Sequence, residues 1–151
     1  MKKRDLIVAV ITMCTMCIPM AIIAHYHYET PAMPSSVFNW DSIKVNTTKT
    51  GERRQFFQAP TLTLQELECH VSTLNVGETA HPPHQHPEEE MTIVKDGTVE
   101  VLVNGELKTV GPGSIVFQAS NTLHNIKNVG KDRAVYFAIK WKTEKTPQAV
   151  K

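Results

Sequence analysis

The chain has 151 residues, a formal net charge of +1 and 41% hydrophobic residues. That length supports a single hydrophobic core. With no basic block beyond the N-terminus, the near-neutral charge excludes the electrostatic footprint of a nucleic-acid partner.

Lys2, Lys3 and Arg4 open the chain, and residues 6–24 follow without a charge. At about 1.5 Å per residue such a run spans roughly 28 Å as a helix, close to the thickness of a bilayer core. Residues 1–24 therefore read as a signal peptide or membrane anchor, with a helical leader in either case. A positive start and modest polarity at Thr12, Thr15 and Pro19 favour a cleaved secretory signal. The length, and the lack of a small-x-small cleavage site near Ala24, favour an uncleaved anchor. Both readings export the remainder, to the periplasm or the outside. Without the leader, which carries Lys2, Lys3, Arg4 and Asp5 (net +2), the formal charge becomes −1.

Cys14 and Cys17 fall inside the apolar run, so only Cys69 remains beyond it, and no disulfide can form within the domain. Cys69 and its neighbour His70 read as structural, the thiol as a buried one. Residues 25–41 carry Pro31, Pro34, Ser35 and Ser36 and read as a linker. Phe38 and Trp40 are expected on the outside of the domain that follows.

From there the pattern is β. Residues 61–76 alternate in part. Leu62 and Leu64 share one parity, Leu67, Cys69 and Val71 the other, as a bulge would produce. Residues 91–94 form a short apolar strand, and Asp96-Gly97 a turn. Val99, Val101 and Val103 share a face. Asn104-Gly105 predicts a two-residue hairpin, because both positions tolerate positive φ. Residues 106–110 return the chain, and Pro112-Gly113 turns it into residues 114–117. His124 opens the next strand, residues 128–132 loop, and residues 134–141 form a long apolar strand. Residues 143–151 read as a disordered tail. No helix is expected beyond the leader, and many short strands separated by turns indicate a barrel or jelly roll.

The chemistry concentrates in His84-Gln85-His86-Pro87-Glu88-Glu89-Glu90, with His124 further on. His84, His86 and Glu90 share parity, so a strand there would send two imidazoles and a carboxylate to one side, Pro87 permitting. Imidazole with carboxylate suits a divalent transition metal (Fe, Mn, Ni, Cu or Zn) and argues against calcium, which prefers oxygen ligands. Glu88 and Glu89 read as solvated or as partners of the ligands. His81, just before two prolines, reads as a spare imidazole on a loop near the site.

The flanking residues carry a family resemblance. Gly77, six residues, His84-x-His86, three residues, Glu90, six residues and Gly97 match the first motif of the cupin superfamily with one extra residue, which the Pro82-Pro83 turn can absorb. Gly105 and His124-x-x-x-Asn128 match the second. Pro112 stands directly before Gly113, Ser114 stands where many relatives carry Asp, and the proline common before the last histidine is absent from residues 118–121. The chain thus resembles a small single-domain cupin over roughly residues 60–142.

The resemblance implies an all-β, cupin-type double-stranded β-helix (jelly-roll) barrel over residues 42–142. It implies one divalent transition metal held by His84, His86, Glu90 and His124. It also implies a small-molecule ligand or substrate, and a homodimer formed through edge strands. Polarity and position add His81, Gln118, Asn128 and Tyr136 as substrate-contact candidates. Two functions follow. One is an exported mononuclear metal-binding cupin acting on a small oxygen-rich molecule, dioxygenase-like or otherwise metal-assisted (an isomerase or decarboxylase). The other is a non-catalytic module that binds or senses a small ligand, favoured by the lack of a general acid or base beyond the ligands. A purely structural role is disfavoured, because imidazoles and a carboxylate buried without partners are costly.

Overall fold

The computed structural model describes residues 30–150. The leader (residues 1–24) and the first part of the linker therefore lie outside the described residues. After a single turn of 3-10 helix (Trp40–Ser42), nine strands follow: β1 (Val45–Thr48), β2 (Gly51–Ala59), β3 (Glu66–Leu74), β4 (Glu89–Asp96), β5 (Val99–Val103), β6 (Glu106–Val110), β7 (Ile115–Gln118), β8 (Ile126–Asn128) and β9 (Ala134–Lys142). They make one six-stranded sheet, ordered β1-β2-β3-β9-β4-β7, and one three-stranded sheet, ordered β6-β5-β8. The pairings between strands are antiparallel. Among the described residues, no helix is long and apolar enough to cross a membrane.

The core lies between the two sheets. Leu74, Val94, Val116, Ala134, Tyr136 and Ala138 come from the larger sheet, and Val99, Val101 and Ile126 from the smaller. The valine alternation in β5 supplies its half of this layer, since successive strand residues face opposite sides. Asn104 (φ 52°) and Gly105 (φ 80°) both take left-handed conformations. That is the turn expected from Asn-Gly, and its twist matches the β5–β6 hairpin it joins. Gly97 (φ 83°) carries the chain from β4 to β5, and a Cβ there would stand 2.7 Å from Ala134 Cα.

Several expectations need correcting. Residues 61–65 are a turn rather than strand: the Thr61 hydroxyl accepts from the Leu64 amide at 3.0 Å, and Leu62 is 94% exposed. The irregularity expected in β3 falls instead in its partner β2, between Gln55 and Phe57. β1 and β2 carry no apolar alternation, and the sequence pattern placed no strand there. Phe38 and Trp40 do pack on the domain as expected, Phe38 against Phe57 (4.9 Å between ring centroids) and Trp40 against Phe56 and Phe137. The tail is also held: Asn121 Nδ2 donates to Gln148 O (3.0 Å), and the Val150 amide donates to Asn121 Oδ1 (3.3 Å).

Candidate metal centre

Pro82, Pro83 and Pro87 lack backbone donors, so residues 81–88 cannot run as a continuous paired strand. The shared-parity strand expected for His84 and His86 is accordingly absent, and a loop delivers both rings. His84 and His124 form an isolated antiparallel bridge, with amide-to-carbonyl distances of 3.0 and 2.9 Å. The Asn121 amide donates to His86 O (2.8 Å), and Ser120 Oγ donates to Pro87 O (2.6 Å). These bonds stitch the histidine loop to the segment before β8, so the backbone fixes where the imidazoles start.

The ring nitrogens then sort themselves by partner. His86 Nδ1 lies 3.0 Å from Glu88 O, and His124 Nδ1 lies 2.7 Å from Thr122 O. A carbonyl only accepts, so each Nδ1 carries the hydrogen and each Nε2 keeps a lone pair. Such an outer hydrogen bond is how metal-binding histidines are oriented. Both Nε2 atoms, and Nδ1 of His84, are buried without any hydrogen-bond partner. One ligand atom from each of the three residues lies within 4.8 Å of the others. Three nitrogens on one ion stand about 3–3.5 Å apart, and small rotations about the soft χ2 torsion close that difference. The donor set therefore fits a transition metal.

Glu90, on β4, stands beside this trio rather than within it. Its Oε2 is 3.5 Å from His86 Nε2, and Thr92 Oγ1 donates to its Oε1 at 3.3 Å. Burial alone would raise its pKa, but the imidazoles of His86 and His124, with Lys140, hold it below the ordinary value. Burial, and crowding by His81, His124 and His86, lower His84 to about 4. His124 is lowered as well, chiefly by burial. Both rings are thus neutral near pH 7, the form that binds a metal.

These groups open onto a cavity of about 590 Å³, which His81, Gln118 and Tyr136 also line. His81 packs edge-on against His84, with ring centroids 3.9 Å apart, as a loop imidazole near the site should. Gln118 donates weakly to Leu102 O (3.4 Å), and its Oε1 is buried without a partner. Burial pushes the Tyr136 hydroxyl up to about 12, so it stays protonated and can donate. Glu88 partners His86, through its carbonyl and with its Oε2 3.4 Å from Nδ1, whereas Glu89 accepts from Trp141 Nε1 at 2.9 Å and not from a ligand histidine.

Asn128 does not belong with them. It is fully buried, and its Nδ2 donates to Leu74 O, Asn75 O and Asp132 O while its Oδ1 accepts from the Gly130 amide. Its matching place in the second motif reflects loop architecture rather than ligand contact.

The sequence reading missed a second polar group on this cavity. His70, expected to be structural, lines it together with Arg53 and Lys140, and Glu68 lies directly behind. One signal was available: Glu68, His70 and Ser72 alternate with Cys69, Val71 and Thr73 inside a strand that is buried on both faces. A polar stripe facing inward marks a cavity. Cys69 is buried and free, as expected, its thiol raised by burial and by Glu68.

A family model described as Cupin domain matches residues 70–140. No curated protein matches the chain. Among solved structures, an RmlC-like cupin from Shewanella frigidimarina aligns at TM-score 0.60 and 16% identity, over 74% of this chain and 95% of that one. The polyketide cyclase RemF from Streptomyces resistomycificus aligns at TM-score 0.58 and 16% identity, over 72% and 80%. A predicted oxalate decarboxylase from Thermotoga maritima aligns at TM-score 0.57 and 18% identity, over 71% and 99%. Fold, motif spacing and family match agree: residues 70–140 of this chain carry a cupin domain.

Proposed function

We propose that this protein is an exported, mononuclear metal-binding cupin that acts on a small oxygen-rich molecule. One observation carries the reading: three imidazoles, each with a buried nitrogen that lacks a partner, bring one ligand atom apiece within 4.8 Å of one another beside a carboxylate, at the wall of a cavity of about 590 Å³. A divalent transition metal bound there would supply Lewis-acid or dioxygen chemistry. His84, His86 and His124 would hold it, with Glu90 as the fourth ligand. Tyr136 and His81 would contact the substrate, Tyr136 as a hydrogen-bond donor. The aligned structures include a polyketide cyclase and a predicted oxalate decarboxylase. The fold therefore does not select the reaction, and the side chains around the cavity must.

Export rests on Lys2, Lys3 and Arg4 followed by the uncharged run, and the same segment would serve as membrane anchor if retained. Self-association through an edge strand is supported by β7, which ends the larger sheet and exposes Ile115 and Phe117.

The test is to incubate metal-loaded, full-length protein with hydroxy acids, keto acids, sugar acids and catechols, and to read products by mass spectrometry. The expected result is a product that chelation abolishes and His84→Ala does not form. Saturable binding without chemical change would contradict the enzymatic reading and leave a ligand-binding module.

A further inference from the structure

Glu68 and His70 on β3, Arg53 on β2 and Lys140 on β9 make a second polar centre on the cavity. In the sheet register, Lys140 pairs with Glu68 on one side and with Glu90 on the other. Glu68 therefore lies two strand spacings from the proposed metal ligand, about 10 Å at the backbone. Its side chain is 5% exposed and receives Arg53 Nη2 at 2.7 Å, Lys140 Nζ at 2.8 Å and Gln55 Nε2 at 3.3 Å. Nδ1 of His70 adds a fourth contact at 3.0 Å.

That fourth contact fixes the ring. An ionised carboxylate only accepts, so His70 places its hydrogen on Nδ1. Burial works against ionisation of Glu68, but His70 and Lys140 outweigh it and hold the group well below the carboxylate range. In the neutral ring, Nε2 then keeps its lone pair. His70 lines the cavity, and among the described residues its Nε2 has no hydrogen-bond partner. An oriented imidazole backed by a carboxylate and open to a cavity is the arrangement that makes a histidine a base.

We propose that His70 is the proton acceptor of this cavity and that Glu68 is its positioning residue. The ligand it would serve carries a hydroxyl, or a C–H beside a carbonyl. That O–H or C–H bond breaks, its electron pair stays on the ligand, and the proton forms the Nε2–H bond of an imidazolium whose Nδ1–H remains on Glu68. The proposal deepens the metal-site reading by naming the base. Its test is run metal-free, so the two can fail separately.

The probe is nitrobenzisoxazole, whose ring opens when a base removes its carbon-bound proton as the N–O bond breaks, releasing a coloured nitrile phenolate. Full-length, metal-free protein should open it faster than an equal concentration of imidazole. His70→Ala should lower the rate on the order of a hundredfold, the lower end of what a positioned base contributes, and added imidazole should restore part of the loss. Glu68→Gln should also lower the rate, with Glu68→Asp recovering some of it. His70→Asn, which keeps a donor toward Glu68, serves where the alanine variant does not fold. Nitrogen NMR of the wild-type ring should show hydrogen on Nδ1 and none on Nε2. Equal rates in wild type and the His70 variants, a rate no faster than imidazole, or the opposite tautomer would each overturn the proposal.

Discussion

His84 and His124 exchange both of their backbone hydrogen bonds, at 3.0 and 2.9 Å, so the main chain itself joins two of the three convergent imidazoles. Such a pair brings Cα atoms to about 5.5 Å. The rings then approach to 4.5 Å between centroids without any side-chain bond between them. The main chain thus sets where the two rings start, and each Nε2 lone pair of His124 and His86 stays free because Thr122 and Glu88 take the opposite nitrogens.

Asn128 should matter for stability and not for metal. Replacing it with alanine removes the side-chain bonds to Leu74 O, Asp132 O, Asn75 O and the Gly130 amide, of which Asn75 O still accepts from the Glu78 amide and the Gly130 amide still donates to Thr98 O. With buried groups left unpaired at roughly 1–3 kcal/mol each, partly offset by relaxation and water, Asn128→Ala should cost about 3 kcal/mol or more in urea unfolding. Metal content of the protein that does fold should equal wild type. A variant that keeps full stability but loses metal would show that Asn128 belongs to the site after all.

Gly97 combines a left-handed φ with a close approach to Ala134. Gly97→Ala should therefore destabilise by about 2 kcal/mol, from backbone strain and overpacking together. Thermal unfolding reads the effect directly. An unchanged melting temperature would mean that the β4–β5 turn relaxes at no cost.

Acid should weaken the metal-free protein in two stages. Folding lowers His84 from 6.5 to about 4, so the folded state resists its protonation. The stability this contributes is complete above pH 6.5 and is lost as pH falls toward about 4. Glu68 is depressed below its ordinary 4.5, so its contribution is lost only at lower pH. Denaturation midpoints measured from pH 7 to 4 should fall in wild type and fall less in His84→Gln. Parallel curves for the two proteins would refute the assignment to His84.

What could be read in the sequence was whatever is local. His84, His86, Glu90 and the Asn104-Gly105 turn announce themselves through short spacing, and the apolar alternation of β5 through its period of two. β1 and β2 could not be read that way. β1 is exposed throughout, and β2 presents Arg53 and Gln55 toward Glu68 instead of an apolar stripe. The same limit hid the second polar centre, because Arg53, Glu68, His70 and Lys140 meet only through the register of three strands. The histidine pair was found for a partly mistaken reason: the prolines that prevent a strand make the loop that presents the rings. Asn128 shows the converse, a motif residue whose position was legible and whose work is structural.

The most direct measurement is metal content by elemental mass spectrometry, on full-length protein prepared without added metal and again after reconstitution, beside His84→Ala and His124→Ala. The account predicts close to one transition-metal ion per chain in the wild type, and little in either variant despite native-like folding. Absence of metal from wild-type protein, with none taken up on reconstitution, would contradict it.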